Sequence, residues 1–220
     1  MKHKFHIQQF TSLPSTNDYA KAHLHVIENR EVILCDVQTN GRGRFDRVWE
    51  SGNDITCSIV FHEDAPFSLL IPIAIVHALK HFEIKASIKW PNDILVDGKK
   101  VCGILIERIF EGECVSQVVG FGVNISKPVE ALQHKASYVQ VERMQLLDEI
   151  LTCIEHFEGY NKQALLEEYR KFHYLQGRKI MLNDVLWNVV DIDEDGFLIV
   201  QHDTKRCILK SEEVTLQQIY

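Results

Sequence analysis

Asp97-Gly98 lies between two apolar runs, Ile94-Leu95-Val96 and Val101-Cys102-Gly103-Ile104-Leu105-Ile106, and no other stretch narrows the fold as much. An Asp-Gly pair accepts the positive backbone φ angles of a two-residue turn, so its flanks pair as an antiparallel hairpin. Further strand-like runs are Val32-Ile33-Leu34-Cys35, Ile55 to Phe61 and Val115 to Ile125, with weak alternation from Lys4 to Gln9. Helical periodicity fills the gaps. Ser15-Thr16-Asn17-Asp18 reads as a hydroxyl-capped helix start, with Tyr19, Ala22, His23, Val26 and Ile27 on one face. Phe67 to Phe82 is apolar all round and predicts a buried helix, with Pro72 acceptable in its first turn. Glu142 to Phe157 and Gln163 to Phe172 predict two more.

From Gln176-Gly177 the pattern changes to five short strands: Lys179–Leu182, Leu186–Asp191, Phe197–Gln201, Arg206–Leu209 and Val214–Leu216. Closely spaced short strands predict a small barrel. The expectation is an α+β chain with a boundary near Leu175, a larger sheet-and-helix domain over 1–174 and a small β-barrel domain over 175–220.

The stretch with the most chemistry is Gln38-Thr39-Asn40-Gly41-Arg42-Gly43-Arg44-Phe45-Asp46-Arg47-Val48-Trp49. It has no apolar periodicity, and its glycines allow a ligand close to the backbone. Arginine is a permanent forked donor and cannot act as a base, so a loop of this composition can hold an anion. Trp49 can cover a flat ring. A solvated turn is the plainer reading, but three arginines within six residues stand out in a chain of net charge −7 and pI near 5.9. That charge argues against a broad nucleic-acid-binding face. Gly103 interrupts a strand and points to a bulge or close contact, and Gly120 and Gly122 interrupt another and point to backbone exposed to a ligand.

Six cysteines and eleven histidines show no C-x-x-C, H-E-x-x-H or similar ligand spacing, which argues against a structural zinc site. The cysteines fit reduced, core-filling residues. No signal-peptide core opens the chain, and the longest apolar run, Leu69 to Leu79, is broken by Pro72 and His77. The expected location is cytoplasmic, without a membrane partner.

Gly41-Arg42-Gly43-Arg44-x-x-Arg47-x-Trp49 resembles the GRGR-x-x-R-x-W loop of the biotin protein ligases. Lys89-Trp90-Pro91-Asn92-Asp93, followed by Lys99-Lys100-x-x-Gly103-Ile104-Leu105-Ile106-Glu107, is similar to that family's KWPND and K-x-x-GIL-E segment. Gly120-Phe121-Gly122-Val123-Asn124 resembles its G-x-G-x-N signature, and Ser15-Thr16-Asn17 its STN. The resemblance implies a class II synthetase-like biotin/lipoate ligase fold, a seven-stranded mixed sheet with helices on one face, and a C-terminal SH3-like barrel.

It also implies activation of biotin by ATP to biotinyl-5′-AMP, with Mg²⁺, and transfer to one lysine of a biotin carboxyl carrier domain. Ser15, Thr16, Asn17, Gln38, Gly41, Arg42, Gly43, Arg44, Lys100 and Gly103 are then the biotin and biotinyl-adenylate contacts, with Arg44 and Lys100 catalytic. Arg47, Trp49 and Asn124 fall on the nucleotide and phosphate side. Asp93 is the magnesium candidate, its plainer role being to cap the Pro91 turn. The few residues before Ser15 leave no room for a helix-turn-helix, so no DNA partner is expected; a homodimer is compatible.

Three places depart from the family pattern. Asp46 stands for a glycine, the segment after Trp49 is short, and Ser211-Glu212-Glu213-Val214 replaces S-G-E-V. Lipoate or octanoate ligases share the implied fold, but their R-R-x-x-G-G-G-A signature is missing. A non-catalytic sensor would dispense with Arg44 or Lys100, and both are present.

Overall fold

The computed structural model describes residues 4–49, 52, 54–127, 136–210 and the strand Thr215–Leu216. Asp46 is described in backbone only, so its expected charge effect lies outside the described residues. So do most of the short segment after Trp49 and the turn from Ser211 to Val214.

Seven strands form the first sheet: β1 (His6–Leu13), β2 (Glu31–Gln38), β3 (Ile55–Phe61), β4 (Ala86–Lys89), β5 (Asp93–Val96), β6 (Lys99–Glu111) and β7 (Cys114–Val123). Their order is β1-β2-β3-β7-β6-β5-β4. β1 runs parallel to β2 and every other pairing is antiparallel, so the sheet is mixed as expected. The β5–β6 turn falls on Asp97 and Gly98, at φ of 51° and 75°.

Among the described residues four α-helices cover the sheet: α1 (Thr16–Ala22), α2 (Phe67–His81), α3 (Arg143–Glu158) and α4 (Lys162–Phe172). They do not share one face. Side chains alternate along a strand, and that alternation assigns the two faces. Val32, Leu34, Cys57, Ile59, Val119 and Phe121 pack in the core with α2, α3 and α4. Ile33, Val60 and Val118 point the other way, onto Ala20 of α1, Leu24 and Ile27. The expectation of helices on one face is therefore corrected, and β3 is buried throughout because both of its faces are covered.

Three local expectations also change. α1 stops at Ala22, and Val26, 65% exposed, is not on its buried face; Leu24 and Ile27 are buried beyond its end. Pro72 falls in the second turn of α2, not the first. The irregularity in the β5–β6 ladder lies between Ile94 and Leu95, whereas Gly103 pairs regularly with Asp93 and Gly122.

The second sheet contains β8 (Lys179–Leu182), β9 (Val185–Ile192), β10 (Leu198–His202), β11 (Lys205–Leu209) and β12 (Thr215–Leu216), in order β11-β10-β9-β8-β12. Each pairing is antiparallel. It packs on the first unit through named bonds. Buried Trp90 donates from Nε1 to the Gly196 carbonyl at 2.9 Å, and Arg170 grips Asp191 with two bonds of 2.8 Å. The Trp90–Pro91 peptide is cis. No helix among the described residues is long and apolar enough to cross a membrane.

Candidate active site

The cavity opens on the α1 face, and the reason can be followed strand by strand. On that face β3 presents Thr56 and Ser58 in place of apolar side chains, β6 presents Gly103, and β7 presents Gly120 and Gly122. Polar and absent side chains leave a hollow that the opposite face, filled by isoleucine, phenylalanine and valine, does not have. The hollow measures about 540 Å³, a volume suited to a small-molecule ligand. Of the residues expected in a site, Ser15, Thr16, Asn17, Gln38, Arg42, Gly43, Arg44, Arg47, Trp49, Asp93, Lys100, Gly103 and Asn124 all line it. Gly41 stands just behind the wall, where a Cβ would lie 2.5 Å from the Trp49 carbonyl oxygen and 2.8 Å from Gln38 Nε2.

One wall is a buried polar cluster at the start of α1. Ser15 caps the helix, its Oγ accepting from the Asp18 N–H. Gln38 Oε1 accepts from the Thr16 N–H at 2.7 Å and lies 3.1 Å from Thr16 Oγ1. Ser58 Oγ lies 2.7 Å from Thr16 Oγ1 and 2.6 Å from Asn17 Oδ1. Asn17 Nδ2 donates to Glu107 Oε2 at 2.7 Å and to the Leu105 carbonyl at 3.3 Å. Asn17 thus fills the space over Gly120 and braces the wall. Gly120 and Gly122 line the hollow, as expected of this strand, with Asn17 and Trp49 packed beside them.

Trp49 covers the other two glycines. A Cβ on Gly122 would fall 2.3 Å from Trp49 Cζ2, and one on Gly103 would fall 3.0 Å from Cζ3. At Gly103 the close contact, not a bulge, is the alternative the fold takes. Trp49 is held by its backbone N–H on the Gly41 carbonyl, 2.9 Å away, while Arg42 and Val48 bridge across the loop. The loop closes on one turn of 3-10 helix, Arg44–Asp46, in which Phe45 takes φ 56° and ψ 38°.

Six cations line the hollow: Arg42, Arg44 and Arg47 from the loop, Lys89 from β4, Lys100 from β6 and Lys127 from the segment after β7. Arg42 is committed to α1, forking onto Asp18 through Nε at 3.1 Å and Nη2. Asp18 also pairs with Lys21 at 3.1 Å, and Lys21 reaches Glu107 at 2.6 Å. The Arg42 guanidinium, against some burial and with help from Lys21, holds the Asp18 carboxyl below its ordinary range. Lys100 Nζ sits 2.5 Å from Asp93 and 5.6 Å from the centre of the Trp49 ring. Asp93 is therefore the counter-ion of Lys100 rather than a turn cap.

Asn124 lines the hollow, but its amide also donates to the Ser137 carbonyl at 2.9 Å, tying down the segment after β7. The sequence reading did not single out Asp54, Thr56, Ser58 or Glu107. Asp54, buried, accepts from the Ile125 and Ser126 N–H groups at 2.9 Å each and pins the end of the loop to the end of β7. Trp49 Nε1 and Thr56 Oγ1 are buried in the wall without a hydrogen-bond partner among the described residues, which marks them for a ligand.

A sequence profile of the biotin/lipoate A/B protein ligase family matches residues 9–124, the segment that builds the hollow. The chain belongs to that family. It is 32% identical over 198 residues to the bifunctional ligase/repressor BirA of Bacillus spizizenii, an alignment covering 77% of this chain and 61% of that one. This family member thus spans about three fifths of the Bacillus protein. Its fold matches the biotin protein ligase of Aquifex aeolicus in complex with biotin and ATP, with TM-score 0.82 and 21% identity over 97% of this chain and 99% of that one. It also matches the biotin acetyl coenzyme A carboxylase synthetase of Helicobacter pylori with bound biotinylated ATP, with TM-score 0.72 and 22% identity over 93% and 100%.

Proposed function

We propose that this member of the family is a biotin protein ligase: it activates biotin with ATP to biotinyl-5′-AMP and passes the biotinyl group to one lysine of a biotin carboxyl carrier domain. One observation carries the reading. A buried donor–acceptor wall (Thr16, Gln38, Ser58) and a set of fixed cations (Arg44, Arg47, Lys100) face a single 540 Å³ hollow. A ureido ring offers donors and an acceptor to such a wall. The dithiolane ring of lipoate offers neither, which favours biotin over the family's other substrate class.

The biotin carboxylate is ionised at neutral pH, carboxyl reference values lying near about 4, so its attack on the α-phosphate needs no general base. The barrier lies in bringing two anions together and in the charge that builds as pyrophosphate leaves. Fixed cations lower it by positioning and by electrostatic stabilisation. Arg44 and Lys100 supply that charge from two elements, and Arg47 is assigned to the departing phosphates. Arg42, neutralised by Asp18, anchors the loop to α1 and reaches the ligand only as a side contact. Trp49 offers its ring to the nucleotide and its unpaired Nε1 as a donor, and Asn124 flanks the same end.

Asp93 lines the hollow with a carboxylate, so its oxygens fit Mg²⁺ entering with the triphosphate, where the ion would neutralise phosphate charge. Closing residues 41–54 over the mixed anhydride would keep water from it. In this reading residues 1–174 hold the chemistry, 175–220 form the appended barrel, and the chain acts in the cytoplasm.

Arg44→Ala and Lys100→Ala test the reading. Each is expected to slow biotin-dependent exchange of ATP with labelled pyrophosphate by about 100-fold or more. Denaturant stability should change by no more than about 1 kcal/mol, because the Lys100–Asp93 pair is partly exposed. Normal exchange in both variants would exclude the proposed roles.

A further inference from the structure

Outside the hollow, packing of two helices brings together three donors of different chemistry. α2 ends at His81, and α3 runs beside it. Glu149 and Cys153 are four residues apart on α3 and share the face turned to α2. His81 Nδ1 bonds to Glu149 Oε1, and Cys153 Sγ stands 3.6 Å from that same oxygen. The imidazole nitrogen, carboxylate oxygen and thiol sulfur all lie within 4.8 Å of one another. Cys153 is 5% exposed, while the Glu149 and His81 side chains are 27% and 61% exposed. The trio is thus a pit, with sulfur at its floor and imidazole at its rim.

We propose that His81, Glu149 and Cys153 form a binding site for one borderline-soft divalent cation of the zinc type, clamping α2 to α3. The donor set selects the ion: nitrogen, oxygen and sulfur together suit Zn²⁺, whereas Mg²⁺ and Ca²⁺ take oxygen alone. Zinc binds these donors at about 2.0–2.3 Å, so tetrahedral ligands stand roughly 3.3–3.8 Å apart, and a contraction of about 1 Å brings all three to bonding distance. Water completes the fourth position on the exposed His81 side. The C-terminal carbonyls of α2 add partial negative charge beside it. On binding, the thiol gives its proton to solvent, the imidazole binds neutral and the carboxylate is unchanged, so the cation replaces one proton. None of the three residues lines the hollow, so the site is independent of the proposed ligase reaction.

Cobalt titration of the full chain in a thiol-free reductant tests this, Co²⁺ standing in for zinc. The expected result is one equivalent bound, with a sulfur-to-cobalt charge-transfer band in the near ultraviolet. Cys114→Ser, which removes the exposed thiol, keeps the band; Cys153→Ser abolishes it. His81→Gln and Glu149→Gln bind about tenfold more weakly or worse. In thermal melts Zn²⁺ raises Tm for the wild type and not for these three variants. Far-UV circular dichroism identifies any variant that fails to fold, and the remaining ones decide. No band in the wild type at stoichiometric cobalt, a band surviving Cys153→Ser, or unchanged affinity in the two rim variants overturns the proposal.

Discussion

Gly120→Ala probes how the α1 face was hollowed out. A Cβ there would stand 2.1 Å from Asn17 Oδ1 and 2.9 Å from its Cγ. Gly120 is not among the positive-φ glycines, so the clash alone sets the cost. Asn17 cannot swing away freely, because it is buried and held by Glu107, Leu105 and Ser58 at 2.7, 3.3 and 2.6 Å. Moving it breaks a charge-assisted bond of about 1.5–3 kcal/mol and at least one neutral bond of about 1 kcal/mol. The expected loss is about 3 kcal/mol, or roughly 6–12 °C in Tm for a chain of this size. Asn17→Ala removes the same bonds and should lose a similar amount. Because both changes act on one set of contacts, the double variant should fall within about 1 kcal/mol of Asn17→Ala alone. Urea denaturation of the two single variants and the double variant, followed by far-UV circular dichroism, reads the cycle. Full additivity, or a Gly120→Ala loss under about 0.5 kcal/mol, would refute the reasoning.

Two further expectations rest on other parts of the fold. His173, at the C-terminal end of α4, is buried with neither ring nitrogen hydrogen-bonded among the described residues, and burial, offset in part by Gln176 and Asp191, pushes its pKa down to about 4. The unfolded chain takes up that proton near pH 6.5, so the contribution is intact above about 6.5 and is lost as pH falls toward 4, by up to about 3 kcal/mol. His173→Phe should flatten that acid limb in denaturation curves at several pH values; an unchanged limb would contradict the assignment. In the loop, trypsin cleavage at Arg42, Arg44 and Arg47 should slow when biotin and ATP are present together, whereas equal rates with and without ligand would argue against closure.

The sequence shows its architecture where local chemistry decides it. The Asp97-Gly98 turn, the all-apolar α2 and the five short C-terminal strands lie where their patterns place them. The periodicity carries α1 past its observed end at Ala22 because Val26 fits a helical period that tertiary packing does not use; Leu24 and Ile27 are the buried anchors. The arginine loop and the Trp-Pro-Asn-Asp hairpin were legible as a site through their motifs. Their supporting residues were not, because Asn17–Glu107 and Arg42–Asp18 are contacts 90 and 24 residues apart, set by sheet register. A period-two signal was available: Thr56 and Ser58 alternate with apolar residues in β3, as Gly120 and Gly122 do in β7. Read together, they mark one sheet face as hollow.

The central claim, biotin transfer onto a protein lysine, is tested most directly by mass spectrometry. The chain is incubated with ATP, Mg²⁺, biotin and a biotin carboxyl carrier domain, with a parallel reaction holding lipoate in place of biotin. The account predicts one biotinyl group on a single carrier lysine, dependent on ATP and lost with Lys100→Ala. An unmodified carrier, or modification by lipoate in preference to biotin, would contradict it.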